Sequence, residues 1–358
     1  MLSWHNDEAW PPRPADEGVR AYVFRGAVYI RPSTACDRQL APPPLRLLTF
    51  HFLFDRQNFC GRFLRHWPTD GPNPMPETAT LLVSCPDQKG LVSGISSFIF
   101  RHGGNILQSD QYTDIEAGVF LARFEFHRDG FRVPRDQIAA QFRPLAQQFG
   151  MKFELHFSDH VPKVALFASR LPHCLEDLLQ RQQAGEFKAE IALVLSNHPS
   201  LSPIAGRYGV PFLHFPITAE NKKQQEEAEM LELESRRVEL IVLARYMQVL
   251  TEDFIAAYPN RIINIHHSFL PAFVGAKPYH QASLRGVKLI GATGHYVTMN
   301  LDEGPIIEQE VARVSHRDSI DDMIRKGRDL ERTVLGRAVR LHLVHRVLTY
   351  GNKTVVFD

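Results

Sequence analysis

The sequence predicts an α/β protein: a small ferredoxin-like βαββαβ unit over residues 78–158, then a Rossmann-like, mainly parallel, doubly wound unit over residues 162–358. Three observations carry this. Apolar runs of strand length recur from Ala79 onward. Between them lie segments with helical spacing, and from Lys163 strands and helices alternate regularly, the pattern of a parallel sheet covered on both faces. Glycine and proline punctuate the joins, as at Pro86–Gly90 and Gly103-Gly104.

Taken in order, Ala79 to Cys85 reads as a buried strand. Pro86-Asp87-Gln88-Lys89-Gly90 is a turn with helix-start chemistry, and Leu91 to Arg101 has helical spacing. Two strands follow near 105–114 and 117–127, then a helix from Arg135 to Phe149 and a closing strand at 151–157. In the second unit, Val164–Ala168, Ile191–Leu195, Phe212–Phe215, Leu240–Leu243 and Ile262–Ile265 are short apolar runs separated by helical segments. The charged helix at 220–237 is read as presenting a solvated face. Strands near 288–297 and 306–314 precede a long amphipathic helix from Ser319 to Leu348. Residues 1–77 hold all three tryptophans and two proline clusters without a sustained period, so a mostly disordered extension is expected. A transit peptide fits poorly with Asp7, Glu8, Asp16 and Glu17. A binding arm shows no motif, and the favoured reading starts the working protein near Met75.

Composition narrows the function classes. A formal charge of +1 gives no electrostatic case for nucleic acid or a membrane surface. No apolar run is long enough to span a bilayer. Four scattered cysteines without CxxC spacing argue for a reducing compartment, so a cytoplasmic protein is expected.

The chemistry concentrates in Asn264-Ile265-His266-His267-Ser268-Phe269-Leu270-Pro271 and the later Leu301-Asp302-Glu303-Gly304-Pro305. On a strand ending near Pro271, Asn264 and His266 project from the same face at the carboxyl edge, where open α/β sheets hold ligands. An amide to stabilise an oxyanion, an imidazole to move a proton and a carboxylate to orient either suit attack on a carbonyl. His267 is expected to face the other way and to pack structurally. His280 and His295 lack metal-site spacing with the His266-His267 pair, so no metal is expected.

These residues resemble the formyltransferase superfamily. With Ser196-Asn197-His198-Pro199, Ala244–Leu250, Gly275–Ala282 and Asn352–Phe357, the chain is similar to the formyltetrahydrofolate deformylase family within it. Ser84–Val92 resembles the signature turn of an ACT domain. The resemblance implies hydrolysis of 10-formyltetrahydrofolate to formate and tetrahydrofolate, balancing the folate pools and supplying formate for purine synthesis, with no cofactor. It implies catalysis by Asn264, His266 and Asp302. Folate would be bound by Arg245, Tyr246, Met247, Val249, Leu250, Gly275, Lys277, Thr293, His295 and Asn300. Lys277 would touch the glutamate tail or only line its loop. Gly294 and Met299-Asn300 depart from common family residues, which bears on folate affinity. The ACT resemblance implies a homo-oligomer and a glycine or methionine effector near Asp87, Lys89, Gly90, Gly104 and Asn105. Two alternatives remain: formyl transfer to an amine, and an inactive amino-acid sensor. Against transfer, the turn Ser169–Cys174 has no glycine, and Pro172 lacks an N–H, so a backbone cradle for a phosphorylated acceptor is not expected. Transfer to a charged tRNA fits poorly with the near-neutral balance.

Overall fold

The computed structural model describes residues 77–271 and 278–357, together with two paired three-residue strands, β1 (Tyr22–Phe24) and β2 (Ala27–Tyr29). Otherwise the extension expected over 1–77 lies outside the described residues. From Thr78 the order is β3 (Thr78–Pro86), α1 (Leu91–Arg101), β4 (Asn105–Asp114), β5 (Val119–His127), α2 (Ile138–Phe149) and β6 (Lys152–Phe157). These strands form an antiparallel sheet in the order β4-β5-β3-β6. Alternate residues Leu81, Val83, Ala122 and Phe124 turn toward Ile95, Ile99 and Phe142 of the helices and form one core. The opposite face of β3 and β5 is buried as well, by Leu82 and Leu121, which explains why these strands read as nearly continuous apolar runs.

The second sheet is built from β7 (Lys163–Ala168), β8 (Glu190–Ser196), β9 (Phe212–His214), β10 (Leu240–Leu243), β11 (Ile262–His266), β12 (Leu289–Tyr296) and β13 (Ile306–Arg313). Its order is β13-β12-β11-β10-β7-β8-β9, with β11 through β9 parallel and β12 antiparallel to both of its neighbours, β11 and β13. Helices α3 (His173–Gln183), α4 (Ser202–Arg207), α5 (Lys222–Ser235), α6 (Glu252–Ala257), α7 (Pro278–Arg285) and α8 (Ile320–Leu343) cover it. The strand order reverses direction between β7 and β10, the kind of switch point beside which parallel sheets bind ligands. Ser319 starts α8 with a capping box: its hydroxyl accepts from the Asp322 N–H, and Asp322 Oδ2 accepts from the Ser319 N–H.

Two expectations are corrected. Helix α5 does not present all its acidic side chains to solvent, because Glu226 and Glu229 are buried. Glu226 Oε2 accepts from both the N–H and the hydroxyl of Thr251, while Tyr246 donates to Glu229 Oε1 at 3.4 Å. One acidic edge of the helix therefore faces the 245–251 loop. The last helix ends at Leu343, not Leu348. His345 adopts a left-handed φ of 55°, and Arg346 N–H bonds back to Leu341 O. The chain then forms an antiparallel hairpin of β14 (Val347–Tyr350) and β15 (Lys353–Val356).

That hairpin joins the two sheets. Phe357 packs with Leu82 and Leu121, flanked by Leu348, Tyr350 and Val355. Arg123 Nε donates to His345 O at 3.0 Å, and Asp114 Oδ2 accepts from Tyr350 and Lys353. The His156 and His345 rings stack with centroids 3.6 Å apart. Replacing Phe357 by alanine removes the centre of this contact and is expected to cost about 3 kcal/mol of stability in denaturant titrations. A loss near zero would contradict the role given to the hairpin.

Candidate active site

The register of β11 against β12 assembles the site. Asn264 lies directly opposite His295, and His266 opposite Thr293. Asn264 Nδ2 is 3.2 Å from His295 Nε2. The other ring nitrogen of His295, Nδ1, is 2.9 Å from the Tyr296 carbonyl, which accepts its proton. His295 Nε2 is thus left to accept from the amide. Burial holds His295 below the ordinary imidazole range, in keeping with this neutral form.

Asp302 comes from the loop after β12, in a left-handed backbone with φ 57°. Its Oδ2 lies 3.2 Å from His266 Nδ1 and its Oδ1 lies 3.8 Å from His295 Nε2. The hydrogen bond from His266 keeps the Asp302 carboxyl below the usual carboxylate range. With its Nδ1 proton directed at Asp302, His266 presents Nε2 to the cavity. That nitrogen is buried and without a hydrogen-bond partner among the described residues. The loop turns back at Gly304, where a Cβ would come within 1.8 Å of Tyr296 O. No other residue fits there without moving the backbone.

Asn264, His266, His295 and Asp302 line a cavity of about 560 Å3 with two chemically different ends. One end is apolar, with Tyr246, Met247, Val249 and Leu250 facing Val297 and Leu301. Met247 and Val249 are exposed although apolar, whereas Tyr246 and Leu250 are buried in the core beneath them. Ser169, in the turn after β7, supports this wall: its hydroxyl accepts from Met247 N–H at 2.9 Å and donates to Asn197 Oδ1 at 2.7 Å. The other end is polar and is organised by Glu331 of α8. This buried carboxylate pairs with His173 Nε2 at 2.7 Å, accepts from Tyr279 OH at 3.0 Å and faces Arg245 Nε at 3.5 Å. Burial opposes its charge, but the His173 hydrogen bond and the Arg245 cation prevail and hold it below the usual range. Gly327 makes room for Tyr279, whose hydroxyl would sit 1.9 Å from a Cβ there.

The expected site residues divide accordingly. Tyr246, Met247, Val249, Leu250 and His295 line the cavity with Asn264, His266 and Asp302. Arg245 lines it too, but its side chain belongs to the polar end. Thr293 does not line it. Fully buried, it donates to Ser268 O and accepts from Leu270 N–H and Gln309, and so braces the turn after β11. Asn300 does not line it either; its carbonyl closes the 298–303 turn. Gly275 and Lys277 lie outside the described residues.

His267 corrects its purely structural assignment. It lines the same cavity, its ring 5.0 Å from His266 and 6.5 Å from Tyr279 between centroids. Burial, with Arg245 and His266 nearby, pushes it down to about 4. Glu331 and His173 were absent from the expected set. The available signal was an acid on the buried stripe of α8, between Gly327 and Val334. His173, Cys174 and Glu331 offer nitrogen, sulfur and oxygen donors within 4.8 Å of one another. The Arg245 cation beside the same carboxylate opposes a metal ion there.

In the small unit, Asp87, Lys89 and Gly90 precede α1, whereas Gly104 and Asn105 follow it. Eleven helical residues separate the two groups by roughly 16 Å. Within one chain they do not form a single site.

Residues 162–339 match the Formyl transferase family. The chain is 57% identical over 280 residues to the formyltetrahydrofolate deformylase of Synechocystis sp., covering 78% of this chain and 98% of that protein. Among solved structures, it resembles a formyltetrahydrofolate deformylase from Pseudomonas syringae pv. tomato, with 46% identity and a TM-score of 0.78 over 79% of this chain and 95% of the other. Glycinamide ribonucleotide transformylase 1 from Symbiobacterium toebii is similar over 57% of this chain and 98% of its own, at 31% identity and a TM-score of 0.53.

The acidic support behind the apolar wall has a pH signature. Burial, then the neighbouring Glu226, pushes Glu229 up to about 8. The folded protein therefore keeps a proton that the unfolded chain releases near the ordinary value. Stability from this group is present below about 4.5 and is lost as pH rises toward 8, at up to ~1.4 kcal/mol per pH unit. Glu229→Gln is expected to remove that part of the slope when denaturant midpoints are compared at pH 5 and pH 8. An unchanged slope would contradict the assignment.

Proposed function

The chain belongs to the formyltetrahydrofolate deformylase family, and from that premise we propose that its two-ended cavity hydrolyses 10-formyltetrahydrofolate to formate and tetrahydrofolate. The observation that carries this reading is the convergence of Asn264, His266 and Asp302 beside an apolar wall. The pterin is flat and aromatic, and the wall of Tyr246, Met247, Val249 and Leu250 suits it. In this reading the pterin lies there and the N-formyl group lies beside Asn264, His266 and Asp302, which line the same cavity.

Water adds to the formyl carbon, and charge grows on the carbonyl oxygen. Asn264 Nδ2 is a donor for that oxygen, because its partner His295 accepts and fixes the amide's orientation. His266 Nε2 takes a proton from the attacking water, Asp302 stabilises the resulting imidazolium, and that proton is then passed to N10. Collapse of the intermediate breaks the C–N10 bond. This scheme uses only side-chain acid–base and hydrogen-bond chemistry and requires no cofactor.

The finer assignments rest on the same residues. The βαββαβ unit is an ACT domain in this reading. Because Asp87–Gly90 and Gly104-Asn105 lie at opposite ends of α1, a glycine or methionine effector would need two chains of a homo-oligomer to touch both. A cytoplasmic location without membrane partners belongs to this reading on the near-neutral charge and the scattered cysteines; no described helix is long and apolar enough to cross a membrane.

The test is release of formate from 10-formyltetrahydrofolate with no amine present. Wild type is expected to produce formate and tetrahydrofolate in equal amounts. Asn264→Ala is expected to lower the rate roughly 10²–10³-fold, and Asp302→Asn about 10²–10⁴-fold. A folded, folate-binding wild type that releases no formate would overturn the reading.

A further inference from the structure

The polar end of the cavity is a built wall. Four segments contribute to it: His173 from the start of α3, Arg245 from the loop after β10, Tyr279 from α7 and Glu331 from α8. His267 links this wall to the reacting centre, with its ring against His266 on one side and near Tyr279 on the other. If the apolar end holds the pterin, this end borders the space from which a nucleophile reaches the formyl carbon.

The wall discriminates between nucleophiles by charge and by hydrogen bonding. Most small amines exist as ammonium ions at neutral pH and would shed a proton only inside the site. Such an ion meets the Arg245 guanidinium, whose buried Nε makes no hydrogen bond among the described residues. The one carboxylate in this wall is already engaged. Glu331 Oε2 faces His173 and Arg245, and Oε1 takes the Tyr279 hydroxyl. Exposed Arg328 adds a second cation among the lining residues of the same cavity. Water carries no charge, is small, and finds in His267 an uncharged ring with hydrogen-bonding capacity.

Arg245 also sits in an unusual backbone position. Its φ of 64° lies in the left-handed region, where a long side chain is rare. Replacement by glycine or asparagine would suit that backbone better, so the arginine needs an explanation beyond local conformation.

We propose that Arg245, held over Glu331 beside His173 and Tyr279, selects the nucleophile by keeping amines from the formyl carbon and leaving it to water. The inference rests on the hydrolytic reading above and assigns its selectivity to one side chain. In hydrolysis the water oxygen bonds to the formyl carbon, the C–N10 bond breaks, one proton ends on N10 and the other leaves as formic acid ionises. In the excluded transfer, an amine nitrogen would bond to that carbon and one amine proton would end on N10. Neither route changes an oxidation state.

The experiment supplies 10-formyltetrahydrofolate and glycinamide to the full-length protein and quantifies formate, N-formylglycinamide and tetrahydrofolate. Wild type is expected to yield formate with little N-formylglycinamide. Arg245→Gly and Arg245→Asn, both compatible with the left-handed backbone, are expected to raise the ratio of N-formylglycinamide to formate roughly tenfold or more. Arg245→Lys, which retains the cation, should keep the wild-type ratio. An unchanged ratio in whichever of the glycine and asparagine variants folds and turns over overturns the proposal. So does a lysine variant that diverts as much product as the glycine variant. Formate release by wild type without glycinamide is scored separately, so failure of hydrolysis itself is distinguished from failure of this assignment.

Discussion

His266 and Asp302 form the contact on which the site's chemistry depends. The carboxylate reaches the ring only because Asp302 occupies a left-handed backbone position, which costs an ordinary residue about 1–2 kcal/mol. The turn that enforces it is closed by hydrogen bonds to Asn300 O and by Gly304 pressed against Tyr296 O. A charge-assisted hydrogen bond to a buried imidazole contributes roughly 1.5–3 kcal/mol, enough to offset that strain. Strain at Asp302 is therefore balanced locally, and the imidazole keeps one orientation.

Around this pair, each half of the cavity has its own support. Behind the apolar wall, Ser169 ties down the backbone of Met247, while Glu226 and Glu229 of α5 hold Thr251 and Tyr246. At the polar end, Glu331 gathers side chains from three other segments around one buried carboxylate. Removing any single partner from such a cluster leaves a buried charge less well compensated, so its members act as a unit. The antiparallel β12 carries His295 opposite Asn264, and the hydroxyl of its Tyr296 meets His342 Nδ1 of α8 at 2.7 Å.

Much of this was legible in the sequence wherever local periodicity decides the outcome. Ile262, Ile263 and Ile265 mark a buried strand, and the spacing of Asn264 and His266 places them on one face. The charged helix misled because charge usually marks a solvated face. Glu226 and Glu229 are buried because a distant loop supplies Thr251 and Tyr246 as partners. The end of α8 misled because its apolar period continues into Val347 and Leu348, and only the left-handed His345 breaks it. Thr293 is expected as a folate contact only through the family resemblance, yet its hydroxyl is spent on Ser268, Leu270 and Gln309. Cross-strand register and contacts between distant helices, which place His295 and Glu331, leave little local trace.

The most direct measurement is the tautomer of His266, read from ¹⁵N chemical shifts of the labelled imidazole in wild type and in Asp302→Asn above the pH at which the ring is protonated. The account predicts a proton on Nδ1 in the wild type, directed at the carboxylate, with Nε2 unprotonated and open to the cavity. Loss of that preference in the variant would follow from removing the carboxylate's charge. A wild-type ring protonated on Nε2, or one indifferent to the substitution, would contradict it.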